Sequence, residues 1–203
     1  NALEDVINAY FKKPEDLKQT IQIVKKYHFE IIDELFDNKQ HLVFDKVNVL
    51  FGEMEFFLAN NKSPNYNFVY DQIVSFGELL STTILSYFFN DQQIENVWID
   101  ARNLIKTDTT YRDGMVDWNA TEQNIANQLQ GSKLYITQGF IGSDPNHFSV
   151  TLGREGSDYS AAIFAYCLNA ESVTIWKDVP GVLNADPRYF EETILLNQIS
   201  YHE

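Results

Sequence analysis

Cysteine is almost absent from this chain. The single one, Cys167 among 203 residues, excludes an internal disulfide, and one free thiol fits the cytoplasm. It stands in the apolar run Ala161-Ala162-Ile163-Phe164-Ala165-Tyr166-Cys167-Leu168, where a buried reduced thiol is expected rather than a nucleophile. Basic residues are scarce as well. Fifteen Lys and Arg face 29 acids, for a formal charge of −14. Binding a nucleic-acid backbone needs clustered cations, so a general nucleic-acid role is excluded. No apolar run approaches the roughly 20 residues that cross a bilayer, and no secretory signal is visible, so no membrane partner is expected. His28, His41, His147 and His202 show no metal-ligand spacing and have no cysteine beside them, so no protein-built metal site is expected. Neither Gly-x-x-x-x-Gly-Lys-Ser/Thr nor Gly-x-Gly-x-x-Gly after a strand occurs, which argues against a Walker-type ATPase and a dinucleotide dehydrogenase.

What is present suffices for one compact domain. Hydrophobic residues make up 44% of the chain, enough for a real core. Residues 2–89 read as helical. Leu3, Val6, Ile7 and Tyr10 follow helical spacing, and Pro14 opens a second helix as a first-turn proline. Leu17, Ile21, Val24, Tyr27, Phe29, Ile31, Ile32, Leu35 and Phe36 continue an apolar stripe. A third helix is expected over about 41–60, with Val43, Val47, Leu50, Met54, Phe57 and Leu58 inward, and a fourth over about 67–89. The polar stretch 60–65 between them is a loop by composition.

The period then changes. Val97-Trp98-Ile99-Asp100 reads as a buried strand, and Leu104-Ile105-Lys106 as another short one. Residues 107–118 read as loop, 119–130 as a helix capped by Asn119 or Thr121, and 133–138 as a strand. Residues 139–145 read as loop, 148–152 as a strand, 157–169 as a helix and 172–176 as a strand. Such alternation predicts an α/β fold with a mainly parallel sheet and helices on both faces, behind a helical N-terminal half. The chain starts at Asn1 without an initiator Met, and Ser200-Tyr201-His202-Glu203 looks like the start of another helix. Both ends read as cuts inside a larger protein.

Two segments carry candidate chemistry. In Gly153-Arg154-Glu155-Gly156-Ser157-Asp158 the glycines allow a tight turn into a helix whose free N–H groups favour an anion. Arg154 can grip a carboxylate with two parallel hydrogen bonds. By spacing alone, an ordinary helix cap by Ser157 with a solvated Arg154 accounts for the same residues. In the second segment, 176–188, Asp186-Pro187-Arg188 reads as a helix start with Asp186 as cap, and Trp176 reads as core. Glu78 lies on the fourth helix beside Phe76, Leu79, Leu80 and Ile84.

Four motifs, in order, resemble those of the aspartokinases, within the amino-acid kinase superfamily. They are Ser75-x-Gly77-Glu78-x-x-Ser81, Ile136-Thr137-Gln138-Gly139-Phe140-Ile141-Gly142, Leu152-Gly153-Arg154-x-Gly156-Ser157-Asp158-Tyr159-x-Ala161-Ala162, and Ile175-Trp176-x-Asp178-Val179-x-Gly181-Val182 with Asp186-Pro187-Arg188. They span about two-thirds of the chain, from Ser75 to Glu203. The resemblance implies a three-layer αβα sandwich, like carbamate kinase, in which the N-terminal helices cover one side of the sheet and take part in a homodimer contact. It implies transfer of the γ-phosphoryl group of ATP, as its Mg²⁺ complex, to the side-chain carboxylate of L-aspartate. The product, 4-phospho-L-aspartate, begins lysine, threonine and methionine biosynthesis. On this resemblance Glu78 receives the substrate ammonium, Phe140 lines the pocket, and Arg154 binds a substrate carboxylate with help from Gly156 and Ser157. Asp158 lies near the transferred phosphoryl group as the catalytic carboxylate. Lys177, Asp178 and Leu183 face the nucleotide and Arg188 its phosphates.

Two positions depart from the family pattern. Glu155 stands where Gly or Asn is common, and is expected to point away from two anionic substrates. Lys177 stands where Thr is usual. The family's N-terminal Lys-Phe-Gly-Gly-Thr-Ser block and its C-terminal ACT regulatory domains have no counterpart in residues 1–203. A partial catalytic domain of this kind is expected to have little kinase activity, since one lost charged donor at a transition state costs about 2.7–4 kcal/mol. Val179-Pro180-Gly181 favours a monofunctional enzyme over one fused to homoserine dehydrogenase. The competing readings are another amino-acid kinase with a related acceptor, and a non-enzymatic helical interaction module resting on residues 2–89.

Overall fold

The computed structural model describes residues 2–131, 133–179 and 181–200. Pro180, within the sequence weighed for monofunctionality, and the expected final helix start at Tyr201-His202-Glu203 lie outside the described residues. Residues 1–171 and 172–203 form two separate units.

The first unit opens with four helices: α1 (Ala2–Lys12), α2 (Leu17–Leu35), α3 (Leu42–Asn60) and α4 (Tyr66–Asp91). Pro14 begins a single turn, Pro14–Asp16, that leads into α2, as a first-turn proline should. His41 caps α3 through Nδ1, which accepts from the Val43 N–H at 3.2 Å. Asn65 caps α4 by accepting from the N–H groups of Asn67 and Phe68. These caps satisfy donors that have no partner inside the helix. Val6, Ile7, Ile21, Val24, Ile32, Val43, Val47, Phe51, Met54, Val69 and Ile73 form one apolar core among these helices. Leu50 and Phe57 are partly buried against it. Tyr27 and Leu35, expected inward, face outward at 61% and 38% exposure. The stripe of α2 is narrower than its composition suggested.

Strand β1 (Val97–Trp98) pairs in parallel with β2 (Tyr135–Ile136). Strand β3 (Ile141–Ser143) pairs antiparallel with β4 (Ser149–Thr151). A parallel bridge joins Lys106 to Ser143. Between them lie helices α5 (Ala101–Leu104) and α6 (Trp118–Gln128), and α7 (Gly156–Cys167) follows. A second core joins Leu104, Ile105, Ile125, Leu152 and Ile163. Ile141 belongs to the first core and Leu152 to the second, so the segment between helices α4 and α7 feeds both. The helical N-terminal half and the small parallel β1–β2 sheet are as the alternation predicted, whereas the β3–β4 pair is antiparallel.

Several expected boundaries move. Leu104 ends a short helix capped by Asp100, and the extended pairing begins one residue later, at 105–107. Segment 139–145 is not all loop. Ile141, Gly142 and Ser143 are buried and form β3. Gly142 resembled a loop residue, but a Cβ there would come within 2.8 Å of the Ile105 carbonyl. It marks a close backbone approach inside a strand. Helix α6 is capped by Asp117, which accepts from the Ala120 N–H at 3.1 Å, not by Asn119 or Thr121. Thr121 is buried, and its hydroxyl accepts from the Lys106 N–H.

The second unit carries turns and one antiparallel bridge, Leu183 to Leu195. The expected strand at 172–176 is not formed among the described residues. A strand holds only where a neighbour completes its backbone hydrogen bonds. Trp176, expected in the core, is 89% exposed. Asp186 caps no helix: its carboxylate accepts from the Arg188 N–H at 2.9 Å as in an Asx turn. The chain makes a turn there rather than a helix.

Candidate active site

The site is built on the glycine turn between β4 and α7. Leu152 ends the strand region with its N–H on the Phe140 carbonyl at 2.8 Å. Gly153 then turns at φ +77°, and Glu155 adopts the left-handed region at φ +56°. Gly156 opens α7. Ser157 is therefore the second residue of the helix and not its cap, and Glu155 occupies the cap position without a capping side-chain bond. The left-handed backbone gives position 155 a steric preference for Gly or Asn. Glu155 is exposed.

Phe140 faces this turn. A Cβ on Gly156 would meet Phe140 Cδ2 at 2.6 Å, and one on Gly139 would lie 3.1 Å from Ser157 Cα. The two glycines thus let the Gly139-Phe140 segment and the turn into α7 touch. Phe140 itself has φ +69°, a costly conformation for a non-glycine residue. Ser160 holds it there. Its hydroxyl accepts from the Phe140 N–H and donates to the Gly156 carbonyl, both at 2.8 Å.

Two cavities flank this contact. One, of about 390 Å³, is lined by Glu78, Thr137, Gln138, Gly139, Ser157, Ser160, Ala161 and Phe164. Burial raises the Glu78 carboxyl above its ordinary value, as expected for a carboxylate taken from water without a cation beside it. Gln138 is fixed by accepting from the Ala101 N–H at 2.8 Å and donating to Thr82 Oγ1 at 2.7 Å. Thr137 Oγ1 is buried and, among the described residues, has no hydrogen-bond partner. The other cavity, of about 300 Å³, is lined by Tyr70, Arg112, Phe140, Thr151, Gly153 and Arg154.

Asp71 braces the second cavity from beneath. It is fully buried, yet its carboxylate accepts from the Arg112 N–H at 2.8 Å, the Thr151 N–H at 2.9 Å and Thr151 Oγ1 at 2.9 Å. Burial pushes its pKa up to about 6, against the lowering effect of those hydrogen bonds. Asp71 ties α4 to both the 107–116 loop and β4. A larger cavity, of about 440 Å³, lies among α3, α4 and β1, with Lys46, Asn90, Asn96 and Trp98 in its wall. It holds no carboxylate and no arginine. Its Asn96 side chain already pairs with Ser86 and Asn90. The two smaller cavities are lined by Glu78 on one side and by Arg112 and Arg154 on the other.

Of the expected substrate residues, Glu78 and Ser157 share one cavity, Phe140 and Arg154 share the other, and Gly156 lies at the contact between them. Asp158 is half-buried in the first turn of α7. Lys177, Asp178, Leu183 and Arg188 all lie in the second unit, and neither cavity is lined by any of them. Leu183 is half-buried and bridged to Leu195. The exposed Arg188 guanidinium is paired with Asp186 at 2.7 Å. Sequence reasoning missed Tyr70, Asp71, Arg112, Thr137 and Ser160. The one available signal was an acid at 71 inside the apolar run of α4.

Among the described residues no group of three or more His, Cys, Asp or Glu could hold a metal, and no helix is long and apolar enough to cross a membrane.

Residues 6–203 match the amino acid kinase family. The chain is 36% identical over 174 residues to a chloroplastic bifunctional aspartokinase/homoserine dehydrogenase 2 of Arabidopsis thaliana, covering 84% of this chain and 19% of that protein. It is 38% identical over 136 residues to the lysine-sensitive aspartokinase 3 of Escherichia coli, covering 66% of this chain and 30% of that protein. Among solved structures, E. coli aspartokinase III in complex with lysine and aspartate superposes with a TM-score of 0.84 at 28% identity, over 97% of this chain and 45% of that one. The same enzyme in complex with aspartate and ADP gives 0.84 at 27%, over 96% and 44%. The chain thus spans less than a third of these curated relatives.

Proposed function

The chain belongs to the amino acid kinase family, and from that premise we propose that it is the aspartate-holding part of an aspartokinase catalytic domain. The parent enzyme transfers the γ-phosphoryl group of ATP to the side-chain carboxylate of L-aspartate, giving 4-phospho-L-aspartate and ADP. One observation carries this reading. A carboxylate without a cationic partner, Glu78, and a guanidinium, Arg154, line cavities on either side of one contact, Phe140 against Gly156. An α-amino acid presents an ammonium and a carboxylate, and these two side chains complement that pair.

The nucleophile in this reaction belongs to the substrate. The protein's task is to position it and to neutralise charge. Glu78 takes the ammonium, Arg154 the α-carboxylate, and Phe140 with Ser157 closes the sides. Asp158 stands in the first turn of α7, next to Ser157, where it would lie near the transferred phosphoryl group. Lys177, Asp178, Leu183 and Arg188 are assigned to the nucleotide. Mg²⁺ enters with ATP, as part of the substrate complex. Exposed Ile23, Tyr27, Leu42, Val49 and Phe56 on α2 and α3 are apolar surface that a second copy would cover, in support of a homodimer.

The test is ATP consumption by the full-length enzyme with a panel of amino acids and related carboxylic acids. Turnover with L-aspartate, and none with L-alanine or with acceptors lacking the ammonium, is expected. Turnover with an acceptor that lacks the ammonium would remove the role given to Glu78 and with it this reading.

A further inference from the structure

The chain has four arginines against 29 acids. Arg102 is paired with Asp100 and Arg188 with Asp186. The other two, Arg112 and Arg154, line the same 300 Å³ cavity, and among the described residues no carboxylate pairs with either guanidinium. In so acidic a chain, two guanidiniums that line one concavity outside any side-chain ion pair, Arg112 acting at longer range on the buried Asp71, are a site for an anion that comes from outside.

Arg112 is held for that purpose by two contacts. Its main chain sits at φ +73°, and its N–H is fixed by the buried Asp71 carboxylate at 2.8 Å. Its guanidinium lies 4.2 Å from the centroid of the Tyr70 ring, a stacking that orients the planar fork while leaving its edge free to donate. Three acids stand nearby, and the Asp113 carboxylate lies against Gly153 in the wall of the cavity; the other two are engaged elsewhere. Asp71 accepts from backbone N–H groups and Thr151 Oγ1, and Glu4 accepts from the Tyr70 hydroxyl at 3.3 Å.

We infer that Arg112 is the second arm of a two-arginine clamp, which with Arg154 grips the carboxylate of the amino-acid substrate that is not phosphorylated. This rests on the reading of the site as an aspartate pocket. The two forks together select an acceptor with a free carboxylate beyond the reacting one.

The test is calorimetric titration of the protein with L-aspartate and, separately, with ATP, for wild type, Arg112→Gln, Arg112→Lys and Arg154→Gln. Loss of one charge-assisted contact corresponds to about a 10- to 100-fold weaker aspartate affinity in Arg112→Gln. Arg112→Lys, which keeps the charge but not the fork, recovers part of it, and ATP affinity stays as in wild type. The substitution leaves the backbone bond to Asp71 in place but removes the stacking on Tyr70 and a charge that favours the Asp71 carboxylate, so each variant is first shown to be folded by circular dichroism. Aspartate affinity within about twofold of wild type in Arg112→Gln, beside a large loss in Arg154→Gln, overturns the role of Arg112 and leaves the aspartate pocket standing. A loss confined to ATP overturns it too. No effect of either arginine substitution overturns the pocket reading itself.

Discussion

Replacing Asp71 with Ala tests the brace beneath the two arginines. The carboxylate accepts three hydrogen bonds, from the Arg112 N–H, the Thr151 N–H and Thr151 Oγ1, in a fully buried position. Three unpaired donors at about 2 kcal/mol each cost about 6 kcal/mol. Against this, the buried carboxylate is itself under stress at neutral pH. A pKa raised from 3.8 to about 6 corresponds to about 3 kcal/mol of penalty on the charged form, which the substitution removes. The net loss at pH 7 is then about 3 kcal/mol. The sign with pH follows from the raised pKa. The contribution of Asp71 is fully present below about pH 4 and is lost as pH rises through about 6. The difference between wild type and Asp71→Ala should therefore shrink by up to about 3 kcal/mol between pH 4 and pH 7. Urea denaturation followed by far-ultraviolet circular dichroism, at both pH values and for both proteins, measures it. A loss under about 1 kcal/mol at pH 7, or a difference that grows as pH rises, would refute the reasoning.

Three further substitutions probe the same framework. Glu155→Gly relieves a left-handed backbone at φ +56° and should raise stability by about 1 kcal/mol; an unchanged or lower melting temperature would contradict that cause. Gly139→Ala places a Cβ 3.1 Å from Ser157 Cα, backbone that cannot swing aside. It should cost about 1–3 kcal/mol and weaken L-aspartate binding, and a variant with wild-type affinity and stability would show that the contact is loose. Thr137→Val removes a buried hydroxyl that has no partner among the described residues at nearly constant volume, and the melting temperature of the ligand-free protein should rise, by about 1 kcal/mol of stability. A fall would mean that the hydroxyl is satisfied in solution.

The helical half was legible because burial there follows the sequence period. Val43, Val47, Met54 and Leu58 recur at helical spacing and all are buried. The sheet was less so, for two physical reasons. Its strands are two or three residues long, too short to show alternation, and Gly142 serves a strand where its composition suggested a loop. Segment 172–176 has the apolar, β-branched composition of a strand, but composition cannot supply the neighbour that a strand requires. At the site, Glu78, Phe140, Arg154 and Ser157 were found because a family motif carries them. Asp71, Ser160 and Arg112 act through long-range hydrogen bonds and stacking, made across 20 to 80 residues of chain for Ser160 and Asp71. Such contacts leave no local pattern. The positive φ at 155 accounts for the usual Gly or Asn there better than charge does, and nothing in the structure explains the Glu of this chain.

The most direct measurement is calorimetric titration of this 203-residue chain with L-aspartate, beside Arg154→Ala. The account predicts heat of binding in the wild type and its disappearance in the variant, with both proteins folded by circular dichroism. Binding that survives Arg154→Ala, or a folded wild-type chain that takes up no L-aspartate, would contradict the claim that these residues hold the aspartate.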